Sequence, residues 1–92
     1  MNTTQAHTPA ELGNKISQNL RIYRKSSNLS MQRLSELSGV SFGSVRRFEE
    51  TGEISLMSLL KIAIILDCAN EFEQLFSRPD PKSIQEIIDG NL

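Results

Sequence analysis

Apolar residues recur along this chain at helical spacing, broken at regular intervals by serine, glycine, asparagine and proline. Leu12, Ile16, Leu20 and Tyr23 follow one another at three- and four-residue steps and predict a first helix with these four as its buried stripe. Thr8-Pro9-Ala10-Glu11 reads as its start. Thr8 can cap, Pro9 suits the first helical position and Glu11 completes a capping box. Gly13 weakens this helix locally, and Ser26-Ser27-Asn28 ends it, with Asn28 as a left-handed cap residue. Leu34, Leu37, Val40, Val45 and Phe48 then supply the apolar faces of two short helices, predicted over Met31–Ser38 and Phe42–Thr51. Ser30 and Ser41 are their N-caps, each hydroxyl able to accept from an amide of the first turn. Gly39 lies between them, where the chain must reverse and a positive φ is needed.

After the loop Thr51-Gly52-Glu53-Ile54, Ser55 caps a fourth helix predicted over residues 56–66. Leu56, Leu59, Leu60, Ala63 and Leu66 share one face, and Ile62, Ile64 and Ile65 widen it nearly all round. That pattern predicts the central core helix. Asp67-Cys68-Ala69 is a turn, and a fifth helix over residues 70–76 carries Phe72, Leu75 and Phe76. Arg78-Pro79-Asp80-Pro81 reads as extended, because proline biases the preceding residue away from helix. Ser83-Ile84-Gln85-Glu86 is a second capping box opening a short helix with Ile84, Ile87 and Ile88 on one face and Gly90 as terminator. So short a helix is not stable alone, so its isoleucines must dock on this domain or on a partner. The pattern divides the chain into a disordered N-terminus over residues 1–8, a five-helix domain over 9–77 and a C-terminal extension over 78–92. The fold class is all-α.

Two helices joined by a short glycine-containing turn form a helix-turn-helix, whose second helix can enter the major groove of DNA. The stretch Met31 to Glu50, MQRLSELSGVSFGSVRRFEE, resembles that of the XRE-type, Cro/phage-repressor-like family. The family pattern has an apolar residue, a small residue next to it, and a glycine five positions after the apolar one. A hydrophobic residue follows the glycine at once, with two more six and nine positions after it. Here these are Leu34, Ser35, Gly39, Val40, Val45 and Phe48. The match extends to Leu20, Tyr23 and Arg24 before the motif and to the run SLLKIAIIL after it, over about residues 12–76. It implies a compact, repressor-like DNA-binding fold.

Charge sharpens this reading. The net charge of −1 argues by itself against a DNA binder. Its distribution does not. Residues 15–47 carry seven basic residues against Glu36 alone, a net +6, and residues 48–92 carry three against nine acidic ones, a net −6. A basic half can face phosphates while an acidic half faces away.

Within the second motif helix, Val45 and Phe48 are expected inside, which leaves Phe42, Gly43, Ser44, Arg46, Arg47 and Glu50 outward. The resemblance places Phe42, Gly43 and Arg47 over base edges, and Arg46 joins them as a candidate reader. Arg47 can donate twice to guanine O6 and N7. Phe42 could read a thymine methyl, or pack back onto the core or a dimer mate. Gly43 lets the backbone approach closely. Phosphate contacts are expected from helix N-termini and from Ser30, Gln32, Arg33, Ser41, Ser44 and Arg46. The family usually has a phosphate-binding glutamine where this chain has Met31; Gln32 stands one place later and about 100° round the helix. The resemblance also pairs Arg24 with Glu49 as a partly buried structural ion pair.

Other chemistries find little support. His7 is the sole histidine and lies in the N-terminal segment, and no glycine-rich phosphate loop, metal-ligand cluster or nucleophile–base pair stands out. Neither catalysis, nor a cofactor, nor a metal is expected. Cys68, the single cysteine, reads as a small buried residue and excludes an internal disulfide. No apolar run is long enough to span a membrane and no signal peptide is recognisable, so cytoplasmic work on the nucleoid is expected.

The expected partner is double-stranded DNA, bound by a homodimer at an inverted repeat as a transcriptional regulator, in particular a repressor. A second reading is an interaction protein. Short XRE-type chains with a C-terminal extension resemble antitoxins, and Ile84, Ile87 and Ile88 would then dock on a partner toxin rather than on a dimer mate. A third reading, loss of DNA binding, is motivated by Met31 and the near-neutral charge and opposed by Arg46 and Arg47.

Overall fold

The protein was analysed as a computed structural model that describes residues 8–78 and 81–90. The helices are α1 (Pro9–Ser26), α2 (Met31–Ser38), α3 (Phe42–Thr51), α4 (Leu56–Ile65), α5 (Ala69–Glu73) and α6 (Pro81–Ile88). Of the N-terminus expected to be disordered over residues 1–8, residues 1–7, which include His7, lie outside the described residues, as does the extended reading of Pro79 and Asp80, while Thr8 is ordered as the cap of α1.

Local chemistry sets most boundaries. Thr8 and Glu11 form the reciprocal capping box, each side chain accepting from the other's backbone N–H at 3.1 Å. Ser30, Ser41 and Ser55 accept from the backbone N–H of Arg33, Ser44 and Ser58. Asn28 is left-handed, with φ 58°. α5 is shorter than expected, giving way to a turn after Glu73, with Phe76 left-handed at φ 58° and 97% exposed. α6 begins at Pro81 rather than after a cap at Ser83, which is inside the helix. The fixed φ of Pro81 suits a first helical position.

The core comprises Leu20, Leu34, Val40, Val45, Phe48, Ile62, Ala63, Leu66 and Cys68, and Leu29, Met31, Ile54, Leu59, Ile65 and Phe72 pack around it. α1 packs on α3, α2 on α3 and α4, and α4 on α5; α6 takes part in none of these contacts.

Two expected faces are displaced. The inner face of α1 is Ser17, Leu20 and Arg24, with Gly13 one turn before, while Leu12, Ile16 and Tyr23 lie on the outside. The predicted stripe is turned by one residue because α1 approaches its neighbour closely at small side chains. A Cβ on Gly52 would come within 2.5 Å of the Gly13 carbonyl carbon, and Gly52 is left-handed at φ 81°. No other residue type fits there. The second displaced face is on α4. Ile62 and Ala63 are buried, but Leu56, Met57 and Ile64 are each more than 60% exposed, so α4 covers one side of the core rather than running through it. Leu37, expected inside, is also exposed.

Candidate nucleic-acid interface

The turn between α2 and α3 is locked from several sides. Gly39 takes φ 79° and its N–H donates to the Ser35 carbonyl at 2.9 Å. The Ser35 hydroxyl donates to the Val40 carbonyl at 2.6 Å, and the Val40 N–H donates to the Ser38 hydroxyl at 3.2 Å. A small hydroxyl residue at position 35 therefore ties the end of α2 to the entry of α3. A Cβ on Gly39 would meet nothing within 4 Å, so it is the backbone angle, and not space, that demands glycine.

The orientation of α3 then follows from burial. Val45 and Phe48 insert into the core at 1% and 3% exposure. Phe42, Gly43, Ser44, Arg46, Arg47 and Glu50 are exposed, as the sequence pattern required. Phe42 is 37% exposed at the first turn and is not a core residue. An added Cβ at Gly43 would meet open space, so close approach of another molecule to the backbone there is unobstructed.

Arg24 and Glu49 hold α3 against α1. Arg24 is 8% exposed; its Nε and Nη2 donate to the two Glu49 carboxylate oxygens at 2.6 and 2.9 Å, and its Nη1 donates to the Leu29 carbonyl at 2.8 Å. Arg21 stands 3.9 Å from the same carboxylate. This two-pronged geometry fixes both position and orientation. The pair joins the last turn of α1 to the outer end of α3.

The arginines on the exposed side each have a carboxylate partner. Arg33 pairs with Glu36 at 3.1 Å, Arg46 with Glu50 at 3.0 Å, and Arg47 with Glu53. Gln32 also donates to Glu36 at 3.3 Å, and the hydrogen bonds from Gln32 and Arg33 hold the Glu36 carboxyl below its ordinary pKa. Thus the segregation of charge along the chain is only partial in space. Glu50 and Glu53, counted in the acidic half, interleave with the basic residues of α3. The Arg46–Glu50 pair was legible as an i,i+4 spacing; Arg47–Glu53 crosses the end of α3 and was not. All these side chains are exposed, so the pairs are weak.

Ser30 and Ser41 sit at the N-termini of α2 and α3, and Ser41 donates to the Ser44 hydroxyl at 2.9 Å. Both N-termini offer amides and positive dipole ends of the kind that suit a phosphate. Met31, where the family usually has glutamine, packs against the core cluster instead. Ile84, Ile87 and Ile88 lie apart on α6, all exposed.

Residues 20–69 match the helix-turn-helix family of XRE type. The chain belongs to that family. An XRE-type chain is a DNA-binding transcriptional regulator, of a kind not ordinarily enzymatic. The matched region runs from Leu20 in α1 to the start of α5 and contains the whole motif, while α6 lies outside it. A comparison with curated proteins finds no significant match. Among the described residues no three His, Cys, Asp or Glu side chains are grouped to hold a metal, and no helix is long and apolar enough to cross a membrane.

Proposed function

We propose that this XRE-type regulator is a repressor that binds an inverted-repeat operator as a homodimer, in the cytoplasm and on the nucleoid. The observation that supports it most is the presentation of α3. Its inward residues lock it to the domain while Phe42, Gly43, Arg46 and Arg47 face out beside two serine-capped helix N-termini. In this reading Arg47 and Arg46 leave their carboxylate partners for the DNA. Arg47 reads guanine, Phe42 contacts a thymine methyl, and Gly43 lets the backbone approach the bases. Ser30, Gln32, Arg33, Ser41 and Ser44 fix the register on phosphates. One such helix reads too few base pairs for specificity, so two copies bind half-sites about 34 Å apart, or a multiple of that.

The test is selection of bound sequences from random duplex DNA at near-physiological salt, because the phosphate contribution falls steeply with salt. An enriched inverted repeat is the expected result. No enrichment by the folded protein would overturn it. The exposed isoleucines of α6 support a second reading, an antitoxin-like module whose extension, residues 78–92, binds a toxin and which represses its own operon. Co-purification of a toxin encoded next to this chain, lost on deleting the extension, would support that reading.

A further inference from the structure

One charged residue on the exposed face of α3 is accounted for neither by the core nor by the DNA contacts assigned above. Gly43, Arg46, Arg47 and Glu50 stand at positions i, i+3, i+4 and i+7 and so line one stripe of the helix. Glu50 is exposed, and Arg46 is its one partner among the described residues, Nε donating to the carboxylate at 3.0 Å. The other acidic residues at this end of the helix are placed differently. Glu49 is turned inward onto Arg24, and Glu53 lies past Gly52 in the loop. As a stabilising device Glu50 is badly placed. It sits in the last turn, at the negative end of the helix dipole, where α3 has no basic residue. Its pair with Arg46 runs in the weaker order, arginine before glutamate, with both side chains exposed. The backbone that carries it is firmly held, because the neighbouring Glu49 accepts two hydrogen bonds from Arg24 at 2.6 and 2.9 Å.

We infer that Glu50 is a specificity-determining residue that accepts a hydrogen bond from the exocyclic amino group of a cytosine. The inference rests on the DNA-binding reading above, in which α3 presents its outer stripe to the bases and Arg46 turns to the DNA. Glu50 is then a carboxylate without its cation, on the same stripe as the base readers, against a polyanion. It needs a donor. Phosphates offer none, and in the major groove the bases offer two kinds, cytosine N4 and adenine N6. Guanine presents N7 and O6 there and thymine O4, all acceptors that repel a carboxylate. Adenine N6 is flanked by the acceptor N7 of the same base, whereas cytosine adds no acceptor of its own. Charge alone therefore orders the bases as cytosine, then adenine, then guanine and thymine. Glu50 adds one read position, a helical turn beyond Arg46 and Arg47.

The test is selection from random duplex DNA run in parallel on the wild type, Glu50→Ala and Glu50→Gln. The side chain is exposed, so both variants should fold as the wild type does, as judged by circular dichroism. The wild type should enrich a site with a cytosine that Glu50→Ala no longer requires, every other position keeping its preference. Glu50→Gln should prefer adenine there, because a glutamine amide can accept from N6 and donate to N7. In titrations of the enriched duplex, changing that cytosine to guanine should weaken the wild type roughly tenfold and Glu50→Ala about twofold at most. Identical preferences in the wild type and Glu50→Ala would overturn the inference and leave the DNA-binding reading standing. An alanine variant that loses preference at every position would make Glu50 a brace of α3 and overturn it too, as would one that only binds all duplexes more tightly. A folded wild type that enriches no sequence overturns the DNA-binding reading and the inference with it.

Discussion

Replacing Arg24 with methionine removes the link between α1 and α3 while keeping an apolar stem of similar length. Three charge-assisted hydrogen bonds go: two to Glu49 and one to the Leu29 carbonyl. The Glu49 side chain, 10% exposed, is left with only Arg21 at 3.9 Å. Removing one partner of a buried pair costs about 3–5 kcal/mol, chiefly because the other charge stays buried. Arg21 can relieve part of that, which places the expected loss near ~3 kcal/mol. Against a total stability of roughly 5–14 kcal/mol for a domain of this size, that is a large share. Urea unfolding followed by far-ultraviolet circular dichroism reads it directly. With a slope of about 1–1.5 kcal/mol/M, the midpoint should fall by roughly 2–3 M. The double variant Arg24→Met/Glu49→Leu should recover most of the loss, because no charge is then stranded; the Leu29 carbonyl still lacks its donor, worth about 1 kcal/mol. A single-variant loss below ~1 kcal/mol would refute the stranded-charge account. So would a double variant no more stable than the single one.

Further outcomes follow from the same geometry. Gly39→Ala suffers only the left-handed backbone, about 1–2 kcal/mol, whereas Gly52→Ala adds overlap with the Gly13 backbone and should lose at least ~1 kcal/mol more; equal urea midpoints would refute the close crossing of α1. Glu53→Gln releases Arg47 without changing its reach, and affinity for the selected operator should rise about fivefold at fixed salt, the equivalent of ~1 kcal/mol; unchanged binding in a fluorescence-anisotropy titration would show that the pair does not restrain Arg47. Burial pushes the Cys68 thiol pKa up, with Glu71 and Asp67 adding to it, so the folded state holds its proton when the unfolded chain releases it. That contribution is complete below the ordinary thiol pKa of about 8.5 and is lost as pH rises past it. Stability measured from pH 8 to 10 should therefore fall more steeply in the wild type than in Cys68→Ala, and parallel curves would refute it.

The helices and their caps were readable because each depends on residues within about four positions. Thr8 with Glu11, Ser30, Ser41 and Ser55 at their first-turn amides, and Gly39 at a left-handed turn all act locally. The motif was readable for the same reason, and with it the outward set Phe42, Gly43, Arg46 and Arg47. The Arg24–Glu49 pair came from the family resemblance and not from spacing, since its partners lie on different helices. The turn after α5 escaped the sequence reading. Phe76 continues an apolar pattern yet lies exposed in a left-handed bend.

The sequence by itself determined the all-helical class, the helix boundaries to within a turn, and the family, because periodicity and capping are written in neighbouring residues. Only the tertiary structure decided which side of α1 and of α4 is buried. Close packing of α1 puts Ser17 and Arg24 inside and leaves Leu12, Ile16 and Tyr23 outside, the reverse of what polarity alone predicts. Burial is a property of the space between helices, filled as readily by small residues and a satisfied ion pair as by leucine. For the same reason only the fold could show that Glu53 meets Arg47 and that Gly13 meets Gly52.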